Sequence, residues 1–357
     1  VVPSDEGVTV AGQAASTDPA SAVYVGADIV YYEDGHDETY GEGTAEEAHS
    51  AEEAAAHTVV TITQPGTYRL SGTLSAGQVA VDLGEDAEND PDAVVTLILD
   101  GVDITCTVAP AVIFYNVYEC GSKDTETASP TVDTSAAGAN VLLADGSVNT
   151  VTGSHVARIY KEGTDEKLHK YDGAFYSKMS MNVDGASDES GTLNIVADNE
   201  GLDSELHLTI NGGSVLALGS RNDAVETASG QAYMELSFAG EQAAGSNIVI
   251  QDSEGSELVS YTAQRAFSSV TYTDAALTDG ATYSVYVDGV QQQFTGHSVG
   301  MGGGMGFGGG RPQDGQQPPE DMGEPPEGME NPPEDMGEPP QDGEMPEGER
   351  PERPEEA

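Results

Sequence analysis

The chain has 357 residues, with 12 basic side chains against 63 acidic ones and a net charge of −51. A field of that sign repels nucleic acid and anionic membranes, and it favours divalent cations, neutral ligands or basic partners. No stretch approaches the ~20 consecutive apolar residues that a membrane span needs, so no membrane insertion is expected.

Residues 1–57 are rich in Ala, Glu, Asp and Gly and are expected to be largely irregular, with one short acidic helix between Ala45 and Ala56. The run Glu33–Glu38 lacks the alternating ligands and closing Glu of a helix-loop-helix calcium site. Val1 opens the chain without a methionine or a hydrophobic leader, which predicts a mature form whose signal segment is absent. Abundant Thr, Ser, Gly, Tyr and Asp with scarce Lys suit an exported bacterial surface protein.

At Thr58 the pattern changes to short β-branched runs punctuated by Gly, Pro, Asp and Asn, over 58–63, 67–74, 78–83, 94–104, 111–115, 140–143 and 157–160. No long helical period interrupts them, and the fold class is all-β. A loose repeat follows, in which an apolar strand adjoins a small acidic turn: Asp172-Gly173-Ala174-Phe175-Tyr176-Ser177, then Glu200-Gly201-Leu202-Asp203-Ser204, then Asp223-Ala224-Val225-Glu226-Thr227. Steps of roughly 20 to 30 residues fit stacked solenoid coils, which bring equivalent turns together along one edge. Residues 58–230 therefore form the expected solenoid domain.

Over 231–296 the repeat gives way to alternating runs, with Asp288-Gly289 as a hairpin turn. A small antiparallel unit that closes the end of the solenoid is expected here. Residues 297–357 are Gly-rich and then Pro- and Glu-rich, with Pro319–Pro325 repeated at Pro333–Pro339, and read as an unfolded spacer. The two cysteines, Cys106 and Cys120, are either a bridge contributing about 3 kcal/mol or two buried thiols.

Calcium takes roughly six to eight oxygens, largely from carboxylates, amides and backbone carbonyls. Asp172, Asp198, Asn199, Glu200, Asp203, Asn222, Asp223 and Glu226 offer such oxygens at equivalent turns, with Asp82, Asp100 and Asp103 as weaker candidates. The alternative is that Asp and Asn stand there because they tolerate turn geometry. Sugar binding uses aromatic faces beside polar groups. Tyr160, Tyr171, Phe175 and Tyr176 cluster around the first acidic turn, although alternate members, Phe175 first, belong in a core. Arg221 and Lys178 are the basic residues beside the acidic turns, suited either to proton abstraction or to pairing with neighbouring acids. Gly296-His297-Ser298-Val299-Gly300 matches the hydrolase nucleophile pattern literally, but glycines follow where a helix is required.

Four segments together carry a family resemblance: Ile62–Leu74, Leu97–Ile104, Lys170–Lys178 and Leu208–Gly213. They resemble the carbohydrate-binding domain proteins of clostridial and other Gram-positive surfaces. The resemblance covers roughly residues 58–290 and implies a right-handed parallel β-helix, shaped like a pectate lyase. It also implies bound calcium and binding of cellulose and polygalacturonate. Here the chain passes from Asp223 almost directly into the cap, so fewer acidic coils are expected than the family usually carries.

The resulting expectation is a non-catalytic, calcium-dependent, monomeric binder of pectin-like or cellulose-like polysaccharide, extracellular or held at the cell surface. Tyr160, Tyr171, Tyr176 and Arg221 are the expected sugar contacts, and the eight acid and amide residues above are the expected metal ligands. The alternatives are a calcium-dependent polysaccharide lyase and a surface adhesin or structural spacer.

Overall fold

The computed structural model describes residues 1–27, 29, 49–121, 132–156, 171–220, 224–225, 228–278, 280–292 and 299–302. They lie within one compact unit, Val1–Gly309. The described residues are nearly all β, and none of their helices is long and apolar enough to cross a membrane.

The first residues are more ordered than expected. Strands β1 (Thr9–Val10) and β2 (Gln13–Ala14) make a hairpin, and β3 (Val23–Gly26) runs antiparallel to β4 (Thr58–Ile62) with Val25 opposite Val60. Val23 and Val25 supply the apolar faces that acidic composition obscured. The acidic helix exists as α1 (Ala51–Ala55), shorter than expected because Ser50 caps it by accepting from the Glu53 N–H.

Twelve further strands follow: β5 (Gly66–Leu74), β6 (Gly77–Asp82), β7 (Val95–Thr105), β8 (Val112–Asn116), β9 (Ala139–Leu143), β10 (Val148–Gly153), β11 (Gly173–Ser177), β12 (Met181–Gly185), β13 (Thr192–Ala197), β14 (Glu200–Ser204), β15 (Leu208–Ile210) and β16 (Ser214–Gly219). They stack in three parallel ladders. Ladder one is β4, β6, β8, β11 and β14, with Val60, Val79, Val112, Phe175 and Leu202 in register. Ladder two is β5, the start of β7, β9, β12 and β15, with Leu97, Val141, Val183 and Ile210 in register. Ladder three is the end of β5, the end of β7, β10, β13 and β16, aligning Leu74, Ile104, Val151, Ile195 and Ala217.

Every residue in these three rows is buried in one core. Burying a Val, Leu or Ile contributes ~1.5–3 kcal/mol, and the coils must stack to do it. Where β7 turns from ladder two into ladder three, Gly101 takes a φ of +80°. The buried Asn149 amide oxygen then accepts from the N–H groups of Gly101 (2.9 Å) and Val102 (3.1 Å).

The C-terminal part is antiparallel, from β17 (Ala228–Gln242) through β18 (Asn247–Gln251), β19 (Glu257–Thr262), β20 (Phe267–Thr273), β21 (Ser284–Val287), β22 (Val290–Gln291) and β23 (Val299–Gly302). Strand β20 runs antiparallel to β16 and β17, while β19, β18, β21 and β22 make a separate four-stranded sheet. Asp288 and Gly289, both at positive φ, turn β21 into β22. This unit does more than close an end. Ile248, Ile250, Phe267 and Val285 share a second core with Val196, Leu216 and Leu218, so it also covers the outer face of ladder three. Both cysteines are free, with Cys106 wholly buried.

Candidate functional site

Three of the expected ligands converge. Parallel pairing sets Gly173 beside Glu200 and Tyr176 beside Asp203, and the Glu200 N–H donates to the Asp172 carbonyl at 3.1 Å. Carboxylate oxygens of Asp172, Glu200 and Asp203 all lie within 4.8 Å of one another. Strict strand alternation would send Glu200 and Asp203 to opposite faces. Glu200, however, is the first residue of β14, at a corner, and Asp172 sits at the equivalent corner just before β11. Register also makes Gly173, not Asp172, the partner of Glu200, one residue off the spacing read from the sequence.

Glycine makes room for the group. A Cβ at Gly173 would stand 3.0 Å from the Asp203 Cβ, and one at Gly201 would meet the Ala224 carbonyl oxygen at 2.3 Å. The first lets Asp203 lie against β11. The second lets the next coil close down on β14.

Glu200 and Asp203 are buried, and Asp172 is half-buried. Two unit charges about 5 Å apart at an effective dielectric near 20 repel by roughly 3 kcal/mol. A hard divalent cation reverses the sign of that term, and carboxylate oxygens are the donors calcium takes. The donor set fits calcium.

The remaining expected ligands divide. Asp198 is committed elsewhere: it accepts from the His155 N–H at 3.0 Å, lies 3.1 Å from His155 Nδ1, and pairs with Arg265 at 3.7 Å. Burial works to raise its pKa, but the hydrogen bonds and charge of His155, helped by the Arg265 guanidinium, outweigh it and hold the carboxyl below its ordinary value. Asn199 is buried, and its amide nitrogen donates to the Asp172 carbonyl at 3.4 Å. Asn222, Asp223 and Glu226 lie outside the described residues, as do Tyr160 and Arg221. Among the weaker candidates, Asp82 accepts from Asn116 (2.9 Å) and Asp100 pairs with Arg69 (2.7 Å).

Tyr171 and Tyr176 do not present faces to a sugar. They are 3% and 0% exposed, with ring centroids 4.6 Å apart. Ladder one is buried on both faces here, since Phe175 and Tyr176 point opposite ways and both are at 0%. The Tyr176 hydroxyl donates to Glu205, and burial, then the charges of Glu205 and Asp203, push its pKa well up. Lys178 holds its Nζ 4.7 Å over the Tyr115 ring. In the nucleophile-like pentapeptide, Val299 and Gly300 belong to a strand, β23, where an elbow would start a helix.

Residues without a sequence signal also matter. The buried Glu119 accepts from the Gly121 N–H (2.7 Å), the Ser180 N–H (2.7 Å) and the Ser180 hydroxyl (2.8 Å), tying two coils together. His155, Arg265 and Glu205 likewise find their partners far along the chain, where no local pattern reveals them.

The sequence model of the family described as "Carbohydrate-binding domain-containing protein" matches residues 56–123. A protein of Acetivibrio thermocellus with the same description is 30% identical over 157 residues, 44% of this chain and 43% of that relative. The chain therefore spans less than half the length of that relative. No solved structure matches. Both sequence similarities are to carbohydrate-binding domain proteins.

Proposed function

We propose that this chain is a non-catalytic, calcium-dependent polysaccharide-binding protein, exported and monomeric, that works at the surface of a Gram-positive cell. The observation that carries the reading is the convergence of Asp172, Glu200 and Asp203 from adjacent coils. The ladder topology supports a right-handed parallel β-helix over 58–230, capped by an antiparallel unit over 231–296. The family description supports a carbohydrate ligand and a binding role. Placement of Lys178 over Tyr115 fits that role better than proton abstraction.

With a net charge of −51, an acidic glycan would be repelled unless a cation bridges it to the protein. Calcium at the three carboxylates would supply that bridge, which favours a pectin-like polyuronate at this site. Co-sedimentation with insoluble polygalacturonate, with calcium and then with chelator, tests the proposal. Retention in calcium only is expected. Equal retention in both, retention in neither, or release of ultraviolet-absorbing unsaturated uronates would overturn it.

A further inference from the structure

We infer that Arg265 is a positioning residue for the three-carboxylate site: it ties the corner that carries Glu200 to the antiparallel C-terminal unit, so that cation binding and docking of that unit favour each other. This rests on the reading that Asp172, Glu200 and Asp203 take a cation. Asp198 and Asn199 alone separate β13 from β14, whose first residue is Glu200. The Glu200 N–H and the Asn199 amide both donate to the Asp172 carbonyl, at 3.1 and 3.4 Å, and the Asn199 carbonyl accepts from the Ser220 N–H at 3.0 Å. The corner therefore fixes two of the carboxylate-bearing residues against each other. Its remaining residue, Asp198, is bracketed by His155 on one carboxylate oxygen and Arg265 on the other.

Arg265 sits in the short loop between β19 and β20. Ala263 and Phe267, on either side of it, are buried in the second core, which anchors the loop in the C-terminal unit. The Arg265 Nη1 donates to the Gly153 carbonyl at 2.8 Å and to the Ser154 hydroxyl at 3.1 Å, and lies 3.7 Å from the Asp198 carboxylate. Alongside, the Thr152 hydroxyl donates to the Gln264 side-chain carbonyl at 3.4 Å. One nitrogen thus joins the end of β10, the Asp198 corner and the C-terminal unit.

Three carboxylates within 4.8 Å of one another repel when no cation lies between them, and the corner must be held against that push. A clamp that resists it keeps the carboxylates near the geometry a cation needs, which lowers the cost of binding. By linkage, a cation that removes the repulsion steadies the clamp in return. Charge alone gives the opposite sign. Removing a positive charge paired two residues before Glu200 makes the local field more negative and would tighten calcium binding. Loss of position weakens it, so one measurement separates the two roles.

The test is calcium titration of the full chain by displacement of terbium, whose luminescence a nearby tyrosine sensitises; Tyr176 pairs in register with Asp203. Arg265→Gln should bind calcium about fivefold more weakly or worse, with a shortened terbium lifetime because water replaces a displaced carboxylate. Arg265→Lys keeps one charged nitrogen and should recover most of the affinity. In the parent, calcium should slow hydrogen exchange over 263–267, and in Arg265→Gln it should not. A folded Arg265→Gln that binds calcium as the parent does, or more tightly, would overturn the inference and leave the proposed function standing. So would exchange over 263–267 that calcium leaves unchanged in the parent, a readout that decides even if Arg265→Gln does not melt cooperatively. A parent without a calcium-displaceable terbium signal would remove the cation site, and with it both this inference and the function proposed above.

Discussion

Gly173 leaves the space that Asp203 occupies: the two sit on adjacent parallel strands, and a methyl group on Gly173 would stand 3.0 Å from the Asp203 Cβ. The Phe175 carbonyl oxygen, 3.2 Å from the same point, blocks the other way out. Gly173→Ala should therefore push β14 away from β11 and cost roughly 1–3 kcal/mol as overpacking. Because the displaced residue carries a carboxylate of the proposed cation site, calcium affinity should fall with stability. Isothermal titration with calcium, alongside urea unfolding, checks both. A stable variant with parental calcium affinity would show that the space is not needed.

Asp203→Asn separates charge from packing. In chelator the parent holds three carboxylates within 4.8 Å, two of them buried, and the variant removes one charge from that group. The variant should lose most of the parent's calcium response. For the parent, calcium at about one hundred times its Kd should add ~2.7 kcal/mol, a rise of several degrees in Tm. Scanning calorimetry of both proteins in calcium and in chelator gives the four melting temperatures. A parent Tm unmoved by calcium would remove the site.

Asp198 gives an acid-side prediction. Its folded pKa is depressed, so its stabilising contribution is present above the ordinary unfolded value near 4 and is lost as pH falls through the lower folded value. Asp198→Asn should thus be less stable than the parent at neutral pH, with the gap shrinking below about pH 4. Arg265→Gln should weaken the same contact from the other side, because the Arg265 guanidinium lies 3.7 Å from the Asp198 carboxylate. Urea unfolding between pH 3 and 7 measures the gap. A gap constant over that range would show that Asp198 titrates normally.

The acidic turns were legible because solenoid coils repeat at a spacing visible in one dimension, and Asp172, Glu200 and Asp203 do meet. The tyrosines were not legible in the same way. Tyr171 and Tyr176 flank a turn where one solvent-facing side is the usual expectation, yet ladder one is buried on both sides. Ala174-Phe175-Tyr176 is a continuous apolar run, and such runs mark strands covered on both faces. Asp198 looked equivalent to its neighbours because composition cannot show that His155 and Arg265 reach it from distant positions.

The cysteines provide a check on the ladders themselves. Cys106 is wholly buried in the core and free, and burial pushes its thiol up to about 12. Cys120 is half-buried, and burial followed by the Glu119 charge raises its pKa as well. The thiolate is the reactive form, so both should alkylate more slowly than a free thiol at pH 8, with Cys120 reacting first. Iodoacetamide labelling of the native protein, followed by mass spectrometry, should show one adduct, at Cys120, before any at Cys106. Adding urea should bring Cys106 into reaction together with global unfolding, since its exposure requires the core to open. Rapid labelling of Cys106 in the native state, or an unlabelled pair that reacts only after reduction, would contradict the packing of ladder three.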